Sequence, residues 1–171
     1  MNYIYLSVRV LHVLCGALWL GGVVLISMFL MPALQQSGPE GGAIMGRMQK
    51  RGLVVFMSSI SGVAILSGFW LYWRFTGGFD AAISASTAGK VFGTGGLLGL
   101  AAGIIGGAVV GRSAKKAAEL GAKMATAPEG KDRAALTAEI GRLRQRMVTW
   151  GNLVIVLLVG ALALMTIGHY V

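Results

Sequence analysis

The sequence predicts an all-α fold: an integral membrane four-helix bundle with a cytoplasmic helical hairpin that extends spans three and four. Hydrophobic residues make up 56 % of the chain and charged residues only 12 %, and the mean hydropathy is +0.74. A water-soluble fold of this composition would expose more apolar surface than its interior could hide. The basic residues gather between the apolar runs. We therefore expect the bilayer to be the solvent of a single domain over residues 1–171.

Four apolar stretches are long enough to cross a membrane as helices. About 20 helical residues cross the roughly 30 Å hydrocarbon core, and only helices or closed barrels satisfy their backbone hydrogen bonds there. The predicted spans cover residues 3–31, 53–73, 91–110 and 147–171, and Pro32 is expected to end the first helix. The first run is too long for a signal peptide and lacks an early basic cluster, so we interpret it as span one.

The connection between spans three and four predicts a helical hairpin over residues 112–146. Both halves are rich in helix formers, and a proline and a glycine within residues 127–130 predict a break between them. Apolar residues at helical spacing predict the seam of the hairpin, namely Leu120, Met124, Leu136, Ile140 and Leu143.

The distribution of basic residues predicts the topology. The net charge is +9, and most of it lies in residues 32–52 and 111–146. Basic connections stay in the cytoplasm, which places both termini outside a bacterial-type inner membrane. Because the basic residues do not form a stripe with interleaved aromatics, we expect no nucleic-acid partner. The expected partners are the lipid bilayer and either a second copy of the chain or a larger membrane complex.

Span three carries glycines at every fourth position: Gly95, Gly99, Gly103, Gly107 and Gly111. Small residues at this interval let two helices approach closely in lipid. The same face could instead admit a flat macrocycle lying against the helix. Both interpretations can hold at once.

The chain has only two histidines, His12 and His169, and both are predicted to lie within spans near the outer surface, where ionisable side chains are costly. Cys15 follows His12 by three residues and Met165 precedes His169 by four, so each pair is expected to share a helix face. Imidazole, thiolate and thioether are ligands for Cu(I), while imidazole is the common axial ligand of haem iron. Ordinary core packing also explains Cys15 and Met165.

The predicted depths of the two histidines in the membrane depend on the end of the spans from which the residues are counted. Counted from the cytoplasmic ends of their spans they are level, whereas counted from the outer ends they differ by more than ~10 Å. Three cations, Arg9, Arg74 and Lys90, are expected at the same outer boundary. They either extend to the lipid headgroups or pair with the carboxylates of a haem, a porphyrin or an anionic quinol.

The string Leu11-His12-Val13-Leu14, followed by Trp19-Leu20-Gly21-Gly22, resembles span one of a superfamily of small membrane bundles. That superfamily includes the CopD copper-resistance proteins and the HemJ-type protoporphyrinogen oxidases. The resemblance continues through Ser67-Gly68-Phe69-Trp70-Leu71 and Lys90. It implies a haem b protein in which His12 and Lys90 are essential, or, by the CopD-like members, a role in copper movement.

Three functions follow as expectations. The first is a haem b-binding protein that exchanges electrons with a quinone or acts as a HemJ-like oxidase. In it, His12 and His169 are candidate ligands, Arg9, Arg74 and Lys90 candidate counter-charges, and Trp19, Gly95 and Gly99 line the slot. The second is copper handling by His12, Cys15, Met165 and His169. The third is a ligand-free accessory subunit, and whether the chain is an enzyme stays open.

Overall fold

A computed structural model describes residues 3–126 and 130–171, which are helical apart from short turns and contain no strand. Span one comprises Tyr3–Val24, a π-helical turn Leu25–Leu30 and Met31–Gln36. Span two is Leu53–Phe75. Span three comprises Thr87–Ile105 and a π-helical turn Gly106–Gly111, and span four is the second part of Lys131–Ile167.

Four helices are long and apolar enough to cross a membrane, as predicted. Only 11 % to 28 % of their most apolar windows is buried inside the bundle. Large side chains such as Leu66, Phe69 and Val156 are more than 60 % exposed. Surface of this kind requires lipid around it, and we conclude that the chain is an all-α membrane protein.

The bundle is built from two helix pairs. Span one packs mainly on span two, and span three packs mainly on span four. The pairs meet in a core of small and large side chains: Cys15, Trp19, Ile60, Ala64, Ala102, Val154 and Leu158. Ala102 of span three is completely buried there, which shows how closely the helices approach at this level.

Pro32 does not end the first helix, contrary to the expectation. The helix continues to Gln36, with the proline at the start of its last segment. Proline has no N–H, and its ring clashes with the carbonyl four residues earlier in a regular α-helix. The preceding π-helical turn changes that pairing, since the Met31 N–H reaches back to the Ile26 carbonyl. The wider turn accommodates the proline.

Two further helices lie in the connections. Gly38–Lys50, in a region read only as a connection, joins spans one and two. Ala81–Ala85 joins spans two and three, and Asp80 caps it by accepting hydrogen bonds from the N–H groups of Ala82 and Ile83. Capping of this kind satisfies the free N–H groups of a first helical turn, so this connection is well ordered by its own hydrogen bonds.

The predicted hairpin is present as a pair of helices. Arg112–Thr126 continues from span three and packs against the first part of Lys131–Ile167. Within the predicted seam, Ile140 and Leu143 are buried and the other members are half-buried. The Lys116 ammonium lies 2.7 Å from a Glu139 carboxylate oxygen across the two arms. Of the predicted break at residues 127–130, Gly130 precedes the second helix with a positive φ, and residues 127–129 lie outside the described residues.

The end of span four differs from the predicted 147–171. The helix ends at Ile167, and Gly168 and His169 form a turn. The His169 N–H reaches only to the Thr166 carbonyl, at 3.4 Å. His169 therefore lies beyond the helix, and the expectation that span four extends to residue 171 is wrong.

Candidate functional site

His12 lies half-buried on span one and is held by the backbone of span two. Its Nδ1 is 2.8 Å from the Ala64 carbonyl oxygen and 3.2 Å from the Ser67 hydroxyl oxygen. A carbonyl can only accept, so Nδ1 carries the proton and donates it. The Ser67 hydroxyl in turn lies 2.6 Å from the Val63 carbonyl and donates to it. The ring is thus fixed in one tautomer and one orientation.

Gly68 makes this close approach possible. A Cβ added to Gly68 would lie 2.7 Å from His12 Cε1, closer than real side-chain contacts allow. Ala64, Ser67 and Gly68 were not among the predicted site residues, although Ser67 and Gly68 belong to the span-two string quoted for the resemblance. Two small residues four positions apart, Ala64 and Gly68, are the signal of a close helix contact.

The second ring nitrogen of His12 is free. Nε2 has no hydrogen-bond partner in residues 3–126 and 130–171, and it is not fully buried. With Nδ1 protonated, Nε2 presents its lone pair. A histidine whose other N–H is donated to a backbone carbonyl is the usual form of a metal or haem ligand.

His169 is engaged by Arg9. The Arg9 guanidinium Nη2 lies 2.9 Å from His169 Nε2 and joins the beginning of span one to the end of span four. Arginine can only donate, so His169 Nε2 accepts and is unprotonated in this arrangement. The lone pair expected to bind a metal is therefore already used. The structure pairs His169 with Arg9, and each histidine has its own protein partners.

Phe92 of span three supports the His169 ring. Their ring centroids are 5.2 Å apart at an interplanar angle of 66°, an edge-on arrangement that aromatic rings prefer. Gly168 permits this, because a Cβ there would lie 2.7 Å from Phe92 Cε1. Phe92 also contacts Phe75 of span two. His169 thus belongs to an aromatic cluster that ties three spans together.

Two of the predicted copper ligands, Cys15 and Met165, lie in packed contacts between helices. Cys15 is buried in the core beside Trp19 and Ala64. Met165 Cγ would lie 3.3 Å from a Cβ added to Gly95, so Met165 fills the contact between spans three and four. Among the described residues, no group of three His, Cys, Asp or Glu side chains could hold a metal ion.

The glycine face of span three divides into packed and open positions. A Cβ added to Gly95 would meet the Ala161 carbonyl at 3.3 Å, and one added to Gly103 would lie 2.5 Å from Ile65 Cδ1 of span two. Gly99 lies between them along the helix, and a Cβ added there meets no heavy atom within 4 Å. Gly95 and Gly103 therefore serve tight packing, while Gly99 leaves room beside the helix.

Of the three predicted cations, only Arg9 contacts another predicted site residue. Arg74 and Lys90 are exposed at the same end of the bundle. Neither side chain has a hydrogen-bond or ion-pair partner among the residues described. Their charges are available to an anionic group at the membrane surface.

An open groove of about 400 Å³ lies between spans one and two. Ser67 is among the residues that line it, and His12 is not. Apart from Ser67 its walls are mostly apolar, and they include Ile4, Val8 and Trp70. An apolar groove of this size suits a hydrophobic molecule.

Comparison with known proteins identified no relative. No model of a protein family matches the chain, and no curated protein or solved structure matches it.

Proposed function

We propose that this chain is a haem b-binding membrane protein in which His12 is an axial ligand through Nε2 and a membrane quinone is the redox partner. The observation that carries the proposal is the anchoring of His12: Nδ1–H is donated to the Ala64 carbonyl while Nε2 has no partner. The donor set fits haem, which needs one well-oriented neutral imidazole in an apolar surrounding.

The other residues support the same proposal in defined roles. Gly99 leaves open space on span three, and Arg74 and Lys90 offer unpaired positive charge for the propionates. The groove beside Ser67 offers a quinone ring an approach to the hydrogen-bond partner of His12. When bound, the haem would supply one-electron exchange with the quinone. A HemJ-like oxidation is the enzymatic form of this proposal.

The test is an absorption spectrum of the protein purified in detergent after expression with ample haem. We expect a Soret band and an α-band in the reduced-minus-oxidised spectrum, with about one haem per chain. His12→Ala should abolish both bands. His169→Ala should retain them, because His169 Nε2 already accepts from Arg9.

A colourless wild-type protein, or full haem retention by His12→Ala, would reject the proposal. A colourless protein with stoichiometric copper that is lost in Cys15→Ala would favour the CopD-like alternative. A colourless, metal-free protein that co-purifies with stable partners would favour the accessory subunit. A second copy of the chain as partner is tested by the mass of the same detergent-solubilised sample.

We further propose that the chain lies in a bacterial-type inner membrane with both termini outside. The excess of Lys and Arg in residues 32–52 and 111–146 supports this orientation. In a Cys15→Ala background, Ala82→Cys should react with a membrane-impermeant maleimide on intact spheroplasts, and Lys115→Cys should react only after lysis. The reverse labelling pattern would overturn the orientation.

A further inference from the structure

A charged cleft opens at the basic end of the bundle, where spans three and four pass into the hairpin. It has a volume of about 450 Å³ and lies between the two chain segments, beside the π-helical turn Gly106–Gly111 and the start of the hairpin. Four cations line it: Arg112, Lys116, Arg142 and Arg146. We call it the headgroup cleft.

The charges of the headgroup cleft are not balanced by the protein. Its one carboxylate, Glu139, is paired with Lys116 at 2.7 Å. The side chains of the three arginines make no hydrogen bond or ion pair in residues 3–126 and 130–171, although the charge of Arg142 acts on Glu139 through space. Unpaired guanidinium groups facing one cavity form a strong site for a phosphate or a carboxylate.

One neutral donor lines the same cleft. Ser113 is only 5 % exposed, and no described residue accepts or donates a hydrogen bond at its hydroxyl. A hydroxyl within a helix commonly bonds to the carbonyl of the preceding turn, and this one does not. It is therefore available to a ligand inside the cleft.

The position and lining of the cleft indicate the source of the anion. Arg112 directly follows the apolar part of span three, and Arg146 directly precedes that of span four. Basic residues at the ends of spans lie at the level of the lipid headgroups. Ala108, Val109 and Leu143 form an apolar side of the cleft, which suits the start of an acyl chain.

We propose that the headgroup cleft is a specific site for the phosphate of an anionic phospholipid of the phosphatidylglycerol class, bound by Arg112, Arg142 and Arg146 with Ser113 as a hydrogen-bond donor. This site is independent of the haem proposal. It also differs from general attraction of a basic surface to anionic lipid, because it predicts one retained lipid and a dependence on an uncharged side chain.

The experiment uses the whole protein in nanodiscs of phosphatidylcholine that contain a minor fraction of phosphatidylglycerol with the same acyl chains. Native mass spectrometry then counts the lipids that stay bound on release from the disc. We expect one phosphatidylglycerol per chain, and a loss of at least about tenfold in its retention in the Arg142→Gln/Arg146→Gln double variant.

The matched control is Lys50→Gln/Lys115→Gln, which removes the same charge from exposed positions outside the cleft. It should keep the lipid. Ser113→Ala leaves the charge unchanged and should weaken retention several-fold. Circular dichroism and a monodisperse elution profile establish that each variant is folded. If the double variant does not fold, the lipid retention of Ser113→Ala and of the two single arginine variants tests the proposal instead.

Three results would overturn the proposal. Equal loss of lipid from the cleft and control variants would mean unspecific charge attraction. Equal retention of phosphatidylglycerol and phosphatidylcholine would exclude an anion site. Tight binding of inorganic phosphate or glycerol phosphate, with no phosphatidylglycerol retained, would assign the cleft to a soluble anion.

Discussion

The two ends of the bundle satisfy their polar groups in different ways. At the histidine end the partners come from the chain itself: Arg9 donates to His169, and His12 donates to the Ala64 carbonyl. At the basic end Lys116 pairs with Glu139, the one carboxylate among the residues that line the headgroup cleft, and the three arginines of the cleft have no carboxylate of their own. The histidine end leaves one imidazole nitrogen and the exposed cations Arg74 and Lys90 open, whereas the basic end gathers four cations around one cleft. The difference separates a neutral imidazole donor, which suits a metal ion, from a cluster of cations, which suits an anion.

We expect the largest effect from Gly68→Ala, which disrupts the contact between His12 and span two. In Gly68→Ala the new Cβ would lie 2.7 Å from His12 Cε1, so the imidazole must leave its position against the Ala64 carbonyl. We expect the haem-to-protein ratio after purification to fall at least about tenfold, as when an outer partner of a ligand is lost. The ratio is measured by the pyridine haemochrome assay.

Gly62→Ala is the matched control, because it lies on the same span and its added Cβ meets no heavy atom within 4 Å. Both variants gain the same helix propensity, about 1 kcal/mol. If Gly68→Ala binds as much haem as Gly62→Ala, the position of His12 against span two does not matter for the cofactor.

The next effect separates the two kinds of glycine on span three. Gly95→Val should lower the free energy of unfolding by about 1–3 kcal/mol, because its side chain would meet the Ala161 backbone and Met165. Gly99→Val changes the helix propensity by the same amount, but its side chain would lie in open space. It should therefore lower the free energy of unfolding much less. Thermal unfolding in detergent, followed by far-UV circular dichroism, measures both.

The haem content of the same two variants sharpens the comparison. If the open space at Gly99 admits the cofactor, Gly99→Val should lose haem while keeping its unfolding temperature. If Gly99→Val keeps both its haem and its unfolding temperature, the glycine face serves only helix packing.

The bundle and its hairpin could be predicted because their signals are local. Long apolar runs give the spans, and the spacing of Ile140 and Leu143 gives the seam. The continuation of span one through Pro32 could not be predicted this way, because it depends on a shift in backbone pairing in the preceding turn. A proline in the sequence marks an expected helix end but does not show whether a π-helical turn relieves its clash.

The candidate site was only half predictable for a different reason. His12 is conspicuous as an ionisable residue in an apolar run. Its partners lie 52 and 55 residues away, and the partner of His169 lies 160 residues away. Such pairings are set by how the helices rotate about their axes in the bundle, and the spacing within one helix does not contain that information.

A smaller effect concerns the contact that joins spans one and four. Arg9→Gln and His169→Ala each remove the same hydrogen bond, so a double-mutant cycle of unfolding free energies should give a coupling of about 0.5–1 kcal/mol. The value lies at the low end for a charged donor because Arg9 is exposed. Additive effects would show that the contact contributes nothing to stability.

We expect the smallest effect on stability from Glu139→Gln in the hairpin. The hydrogen bond and the positive charge of Lys116 hold the pKa of this carboxyl below its usual value. A carboxyl with a lowered folded pKa adds stability above its unfolded pKa and loses it as the pH falls through the folded one. The pair is exposed, so Glu139→Gln should barely change the unfolding temperature near neutral pH.

The same substitution should nevertheless strengthen lipid binding at the headgroup cleft. Removing the only carboxylate frees Lys116 and raises the positive charge of the cleft by one, so Glu139→Gln should retain phosphatidylglycerol several-fold better than the wild type. Glu119→Gln, which removes an exposed carboxylate from the other arm outside the cleft, should have little effect. If both substitutions raised lipid retention equally, the lipid would be responding to net charge alone. The basic end would then be a general cationic surface without a specific site.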